Sequence, residues 1–150
     1  MNQGTILLVE DNEDDADLTV LAFKRANILN QVVVAEDGAV ALDMLFGDNA
    51  FALTGAAAPI LIILDLNLPR ISGIEVLRRV RAEEKTRYLP VVVLTTSIED
   101  EDVINSYKLG ANAYMRKPVA FEEFLSATAR LGMFWIMTNV RAPVATDGRI

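Results

Sequence analysis

The chain has 150 residues, 52% of them hydrophobic, and carries a net charge of −7. That length and apolar content specify one folded domain with a sizeable core and exclude a disordered chain, while the acidic balance argues against a nucleic-acid surface. Cysteine and histidine are both absent; this removes disulfides, thiolate metal sites and the commonest general base and transition-metal ligand. Any phosphohistidine chemistry would have to belong to a partner. No apolar run approaches the ~20 residues that span a bilayer, and the start MNQGTILLVED lacks the basic region and small-residue cleavage site of a secretion signal. A cytoplasmic, membrane-free protein is expected.

In chain order, Thr5–Glu10 (TILLVE) is an aliphatic run too short for a helix and reads as the first strand. The acids of DNEDDADLTVLAFKRANI favour a helix N-terminus, and Leu18, Leu21, Ala22 and Arg25 follow at helical spacing. Gln31–Ala35 is a second buried strand, Asp37-Gly38 punctuates it, and AVALDMLF reads as a helix. Residues 48 to 59 form an Ala/Gly-rich loop, longer than the usual ~4–6 residues. Ile60–Leu64 is the third strand, and Gly73 to about Glu84 a helix. Pro90–Leu94 is the fourth strand, Ile98–Leu109 a helix stopped by Gly110, and Ala113–Met115 a short fifth strand. The last helix follows Lys117-Pro118 and runs to about Met137, leaving residues 1–140 as the domain and 141–150 as a tail.

Strands and helices therefore alternate five times. Four of the strands are uniformly aliphatic, the pattern of a parallel sheet covered on both faces, so the fold class is an open α/β sandwich. Ligands of such sheets bind beyond the carboxyl ends of the strands. Those ends carry Glu10 and Asp11, then Asp65, then Thr95, Thr96 and Ser97, then Arg116 and Lys117. Close carboxylates repel unless a cation sits among them, and Mg²⁺ suits an all-oxygen set completed by water or a phosphoryl group. Lys117 supplies a point charge for a phosphate-like oxygen and Thr95 a hydroxyl donor. A metal, an ammonium and a hydroxyl around one carboxylate suit phosphoryl transfer onto it.

The motifs ILLVEDN, LIILDLNLPRISG, PVVVLTTS and GANAYMRKP, in this order and at these separations, resemble the receiver domain of two-component response regulators over residues 5 to 138. The likeness is greatest to single-domain receivers that accompany bacterial phytochromes, on the long loop before strand three, the DLNLPR and LTTS segments and Phe134-Trp135. The resemblance implies a flavodoxin-like, doubly wound sheet of five parallel strands in the order 2-1-3-4-5. It implies that Asp65 accepts a phosphoryl group from a sensor histidine kinase, phytochrome-linked in this case. Glu10, Asp11 and Asp65 would hold Mg²⁺ with the backbone carbonyl of Asn67, Glu10 standing where many receivers carry Asp. Lys117 would pair with the aspartate and then the phosphate, aimed by a cis Lys117-Pro118 bond. Thr95 and Tyr114 would act as the switch, and Ser97 would cap the fourth helix.

Three other functions compete. An aspartyl-phosphate phosphatase of the haloacid dehalogenase type needs a second acid at position 67, where this chain has Asn. A flavodoxin-like cofactor binder needs a Gly- or Ser/Thr-rich phosphate loop, where this chain has EDNEDD. A pseudo-receiver, an unphosphorylated binding or dimerisation scaffold, is the alternative left. No DNA-binding output is expected, and signalling would run through protein contacts with the kinase, a phosphotransfer protein or an effector. The chain is then a signalling protein rather than an enzyme, limited to self-phosphorylation and slow self-hydrolysis.

The last helix carries two stripes. Phe121, Phe124, Leu125, Thr128, Gly132, Trp135 and Ile136 should face the sheet, and Ala127, Leu131, Phe134 and Thr138 form a second row. A surface helix apolar almost all round is unusual. A homodimer is expected there, with Leu131, Phe134 and Trp135 at the contact and the tail reaching across. A tail folded back over its own helix is the competing expectation.

Overall fold

A computed structural model describes residues 4–47 and 59–143. In it, β1 (Thr5–Val9), β2 (Val32–Ala35), β3 (Pro59–Leu64), β4 (Val91–Thr95) and β5 (Ala113–Arg116) form one parallel sheet. The order is β2-β1-β3-β4-β5, as the resemblance implied. Between the strands run α1 (Glu13–Arg25), α2 (Gly38–Phe46), α3 (Gly73–Ala82) and α4 (Asp100–Lys108), and α5 (Phe121–Gly132) closes the series. The expected long loop before β3 lies, but for Pro59, outside the described residues, as does the tail beyond residue 143. No helix among the described residues is long and apolar enough to cross a membrane.

The uniform apolarity of the strands has a direct cause. Successive strand side chains point to opposite faces, and here both faces are covered. Leu7, Val9, Ile62, Leu64, Val91 and Val93 pack with Leu42, Leu45, Val76, Leu77 and Val80 of α2 and α3. Their neighbours in sequence, Ile6, Leu8, Leu61, Ile63, Val92 and Leu94, pack with Phe23 of α1 and with Phe124 and Leu131 of α5. Two half-cores thus grip β1, β3 and β4 and fix where these strands end.

Helix ends follow local chemistry. Asn12, Asp37 and Ser72 cap α1, α2 and α3, each accepting a backbone N–H three residues on. Gly110, at φ 97°, lets the chain turn out of α4. The helix itself begins at Asp100, two residues later than expected: Ile98 is exposed, and three acids, Asp100, Glu101 and Asp102, occupy the first turn. Ser97 is not its cap. The Ser97 hydroxyl instead donates to Asp102 (2.6 Å) and accepts from the Glu99 N–H. On α3, Arg81 reaches the carbonyls of Gly110 (2.9 Å) and Leu89 (2.7 Å) and the Asn112 side chain (2.8 Å), stitching the amino-terminal edge of the sheet.

The end of α5 departs from simple α periodicity. Residues Met133–Thr138 form a π-helical continuation, with the Asn139 N–H bonded to the Phe134 carbonyl at 2.7 Å. Positions five apart share a face of a π turn, so Leu131 and Ile136 both enter the core, 5% and 2% exposed. The placement of Leu131 on an outer row with Phe134 is therefore corrected: α spacing separates 131 from 136, and the wider turn reunites them. Phe121 is corrected as well, being half exposed at the start of α5 rather than facing the sheet. Phe134, Met133 and Met137 stay exposed, and Trp135 is half-buried with its ring edge-on to Phe134 at 5.0 Å.

Candidate functional site

Asp65 stands one residue past β3, its backbone N–H bonded to the Val9 carbonyl at 3.0 Å, so the sheet ladder runs up to the carboxylate itself. The side chain is 8% exposed. Its Oδ1 accepts from Thr95 Oγ1 (2.8 Å) at the end of β4 and from the Asn67 N–H (3.1 Å). Its Oδ2 accepts from Lys117 Nζ (2.9 Å), just past β5. From β1, Glu10 contributes a buried carboxylate 2.6 Å from the same ammonium, with its other oxygen accepting the Asn12 N–H. Four strand ends thus deliver the expected groups to one place.

The loop that follows Asp65 is held by two close packings. Gly73 stacks its α-carbon against the backbone of Asp65 and Leu66, where a Cβ would overlap the Asp65 carbonyl oxygen, and its N–H bonds the Leu66 carbonyl at 3.0 Å. Across the same loop, Arg70 makes a two-pronged bond to Asp37, Nε at 3.0 Å and the second guanidinium nitrogen at 3.1 Å. Arg70 and the Val40 N–H that Asp37 caps hold the Asp37 carboxyl below the usual carboxylate range.

The electrostatics reflect one ammonium among several acids. Burial pushes Glu10 up to about 7, against the pull of Lys117, and the Asp65 charge adds to the rise. Burial acts on Asp65 in the same sense. There the Lys117 ammonium, with the Thr95 hydroxyl and the Asn67 N–H, outweighs it and holds the carboxyl below its ordinary value. For Lys117, burial favours the neutral amine, yet hydrogen bonds to Glu10, Asp65 and Asp15 raise its pKa above the ordinary lysine value.

Glu10, Asp11 and Asp65 each offer an oxygen within 4.8 Å of the others, with Glu10 and Asp65 buried and Asp11 exposed. The donors are all hard oxygens and one side is open, which fits Mg²⁺ with water or phosphoryl oxygen completing the shell. Asn67 lies beside Asp65, but the contact seen is made by its N–H rather than its carbonyl. Tyr114 is half-buried on β5, its hydroxyl donating to the Ser97 carbonyl (2.9 Å), so the loop after β4 is tied to β5 close to Thr95.

Two findings depart from expectation. No cis peptide bond occurs among the described residues, so Lys117-Pro118 is trans. The trans form is the ordinary preference by ~0.5–1 kcal/mol, and the aim of Lys117 comes from its N–H bond to the Thr95 carbonyl (2.8 Å) and from its carboxylate partners. The second is Asp15 of α1, missed in the sequence, whose Oδ2 lies 3.0 Å from Lys117 Nζ. An acid in the first turn of a helix looks like a complement to the helix dipole; its contact with Lys117 depends on how α1 sits over the sheet edge.

A buried aspartate bonded by a lysine and a threonine, beside two further acids at the carboxyl edge of a 2-1-3-4-5 parallel sheet, is the arrangement of a receiver domain. The chain belongs to the response regulator receiver domain family, whose model matches residues 6–129. It is 36% identical over 140 residues to the response regulator Rcp1 of Synechocystis, covering 93% of each chain. The crystal structure of Mn²⁺-bound Rcp1 superposes with a TM-score of 0.83 at 34% identity, over 93% of this chain and 99% of the other. The phosphorylated cyanobacterial phytochrome response regulator RcpA gives a TM-score of 0.85 at 33% identity, over 95% of this chain and 100% of that one. The bacteriophytochrome response regulator RtBRR is 46% identical with a TM-score of 0.70, over 95% and 86%.

Proposed function

We propose that this response regulator accepts a phosphoryl group on Asp65 from the phosphohistidine of a partner histidine kinase, and signals by altering a protein-contact surface. The observation that carries the reading is the buried Asp65 carboxylate gripped by Lys117 and Thr95. One Asp65 oxygen forms the new bond to phosphorus as the phosphorus–nitrogen bond of the phosphohistidine breaks, the imidazole nitrogen leaving with the electron pair. Lys117 and Thr95, already donating to Asp65, redirect those bonds to phosphoryl oxygens. Glu10, Asp11 and Asp65, with the Asn67 carbonyl, would hold Mg²⁺. When bound, the ion offsets the negative charge that gathers in the transition state.

The phosphoryl group brings about −1.5 to −2 charge and three acceptor oxygens. Movement of Thr95 toward them frees space beside β5, and Tyr114 turns with it, shifting a pre-existing equilibrium of the β4–α4 surface. Similarity to RcpA and RtBRR supports a phytochrome-linked kinase as the donor. Incubation with such a kinase and labelled ATP should label the wild type and leave Asp65→Asn unlabelled. Label on Asp65→Asn, or none on either while the kinase labels itself, contradicts the reading.

The receiver also pairs with a second copy through the end of its last helix. Exposed Met133, Phe134 and Met137, with Trp135 edge-on beside them, support this contact. Leu131 is not part of it, being consumed by the core. Phe134→Glu should sediment at the mass of a single chain where the wild type sediments at twice that mass; equal masses for the two proteins would sink the contact.

A further inference from the structure

Three carboxylates surround the Lys117 ammonium: Glu10 at 2.6 Å, Asp65 at 2.9 Å and Asp15 at 3.0 Å. Glu10 and Asp65 belong to the acceptor and metal-binding set. Asp15 does not. It projects from the first turn of α1, and its side chain is 28% exposed while those of Glu10, Asp65 and Lys117 are at most 8% exposed. Its backbone has separate duties, the N–H bonding the Asn12 cap (3.0 Å) and the carbonyl accepting from the Thr19 hydroxyl (2.8 Å). The side-chain contact of Asp15 is the one its Oδ2 makes with Lys117, apart from those backbone duties.

We propose that Asp15 is a positioning residue that competes with the phosphoryl group for the Lys117 ammonium, and so limits how fast and how far Asp65 is phosphorylated. The inference rests on the phosphoryl-acceptor reading above. Converting the Asp65 carboxylate to its acyl phosphate, a mixed anhydride, adds roughly one further negative charge at pH 7. It does so where Glu10, Asp11 and Asp15 already outnumber the single ammonium. A divalent cation compensates charge on the Glu10, Asp11 and Asp65 side. On the Lys117 side, a phosphoryl oxygen must draw the ammonium from a carboxylate that already holds it. Asp15 Oδ2 holds the ammonium on the α1 side, and the incoming phosphoryl group must bond the same nitrogen. Partial solvent access makes the effect moderate and sensitive to salt.

Asp15→Asn and Asp15→Leu remove the charge and leave the backbone bonds of α1 available. With acetyl phosphate and Mg²⁺, the Asp65 oxygen bonds to phosphorus, the phosphorus–oxygen bond to the acetyl group breaks and acetate leaves. Both variants should take up phosphate faster than the wild type, by about two- to fivefold at low salt, and reach a higher steady-state fraction phosphorylated. The gain should shrink as salt rises toward ~1 M. Loss of a merely structural residue would lower the unfolding midpoint and would not raise the rate. Uptake equal to or slower than wild type in both variants, with the wild type labelled on Asp65, overturns the role of Asp15 alone. A wild type that takes up no phosphate overturns the acceptor reading on which it stands.

Discussion

Lys117→Ala loses about 3–5 kcal/mol of stability in metal-free buffer, and its phosphoryl uptake falls at least about tenfold. Among the described residues, the ammonium is the single cation bonded to Glu10, Asp15 and Asp65, and its own side chain is 5% exposed. Removing it strands buried carboxylates, which is far costlier than never having buried them. Protonation of Glu10, already pushed up to about 7 by burial, limits the loss, so the lower end of the range applies near neutral pH. Millimolar Mg²⁺ should recover more stability in Lys117→Ala than in the wild type, because the cation then does work the ammonium did. Urea unfolding with and without Mg²⁺ measures both effects. Equal midpoints for variant and wild type without metal would show that Lys117 does not neutralise the pocket.

Gly73→Ala should lose both fold stability and phosphoryl uptake, whereas Gly132→Ala should lose stability alone. At position 73 an added Cβ overlaps the Asp65 carbonyl and comes within 2.7 Å of the Leu66 α-carbon. Those are backbone atoms at the end of β3, pinned by the Asp65 N–H bond to Val9. Relief requires the acceptor loop to move, at a cost of about 1–3 kcal/mol, and misplacement of a reacting group by ~1 Å can slow a reaction by two orders of magnitude. At position 132 the added Cβ meets side chains, Ile28 Cδ1 at 2.5 Å and the Phe23 ring at 2.7 Å, remote in the chain from every site residue. Thermal unfolding and acetyl phosphate uptake together separate the two. Full uptake by Gly73→Ala would mean that the approach of α3 to Asp65 does not set the acceptor geometry.

Most of this architecture was legible because it rests on short-range chemistry repeated several times. Aliphatic runs bounded by turn residues have few foldings other than buried parallel strands, and Glu10, Asp65, Thr95 and Lys117 were found by asking what stands at the ends of those runs. What was missed depended on geometry without a sequence period. Carried through Met133–Thr138, α spacing points Leu131 outward, whereas the backbone there widens to a π turn. Asp15 gives no sequence signal of its role, lying on a helix rather than at a strand end. The start of α4 was set too early because Ile98 looked like the first apolar position of a helix, whereas the acids of Asp100–Asp102 form its first turn. The trans Lys117-Pro118 bond overturned an expectation carried over from resemblance alone.

The most direct test is intact mass after incubation with acetyl phosphate and Mg²⁺, followed by peptide mapping, for wild type, wild type with EDTA, and Asp65→Asn. A single added phosphoryl group located on Asp65, present only in the wild type with metal, is the predicted result. No adduct with any divalent cation, or an adduct that persists in Asp65→Asn, would contradict the assignment of Asp65 as the acceptor.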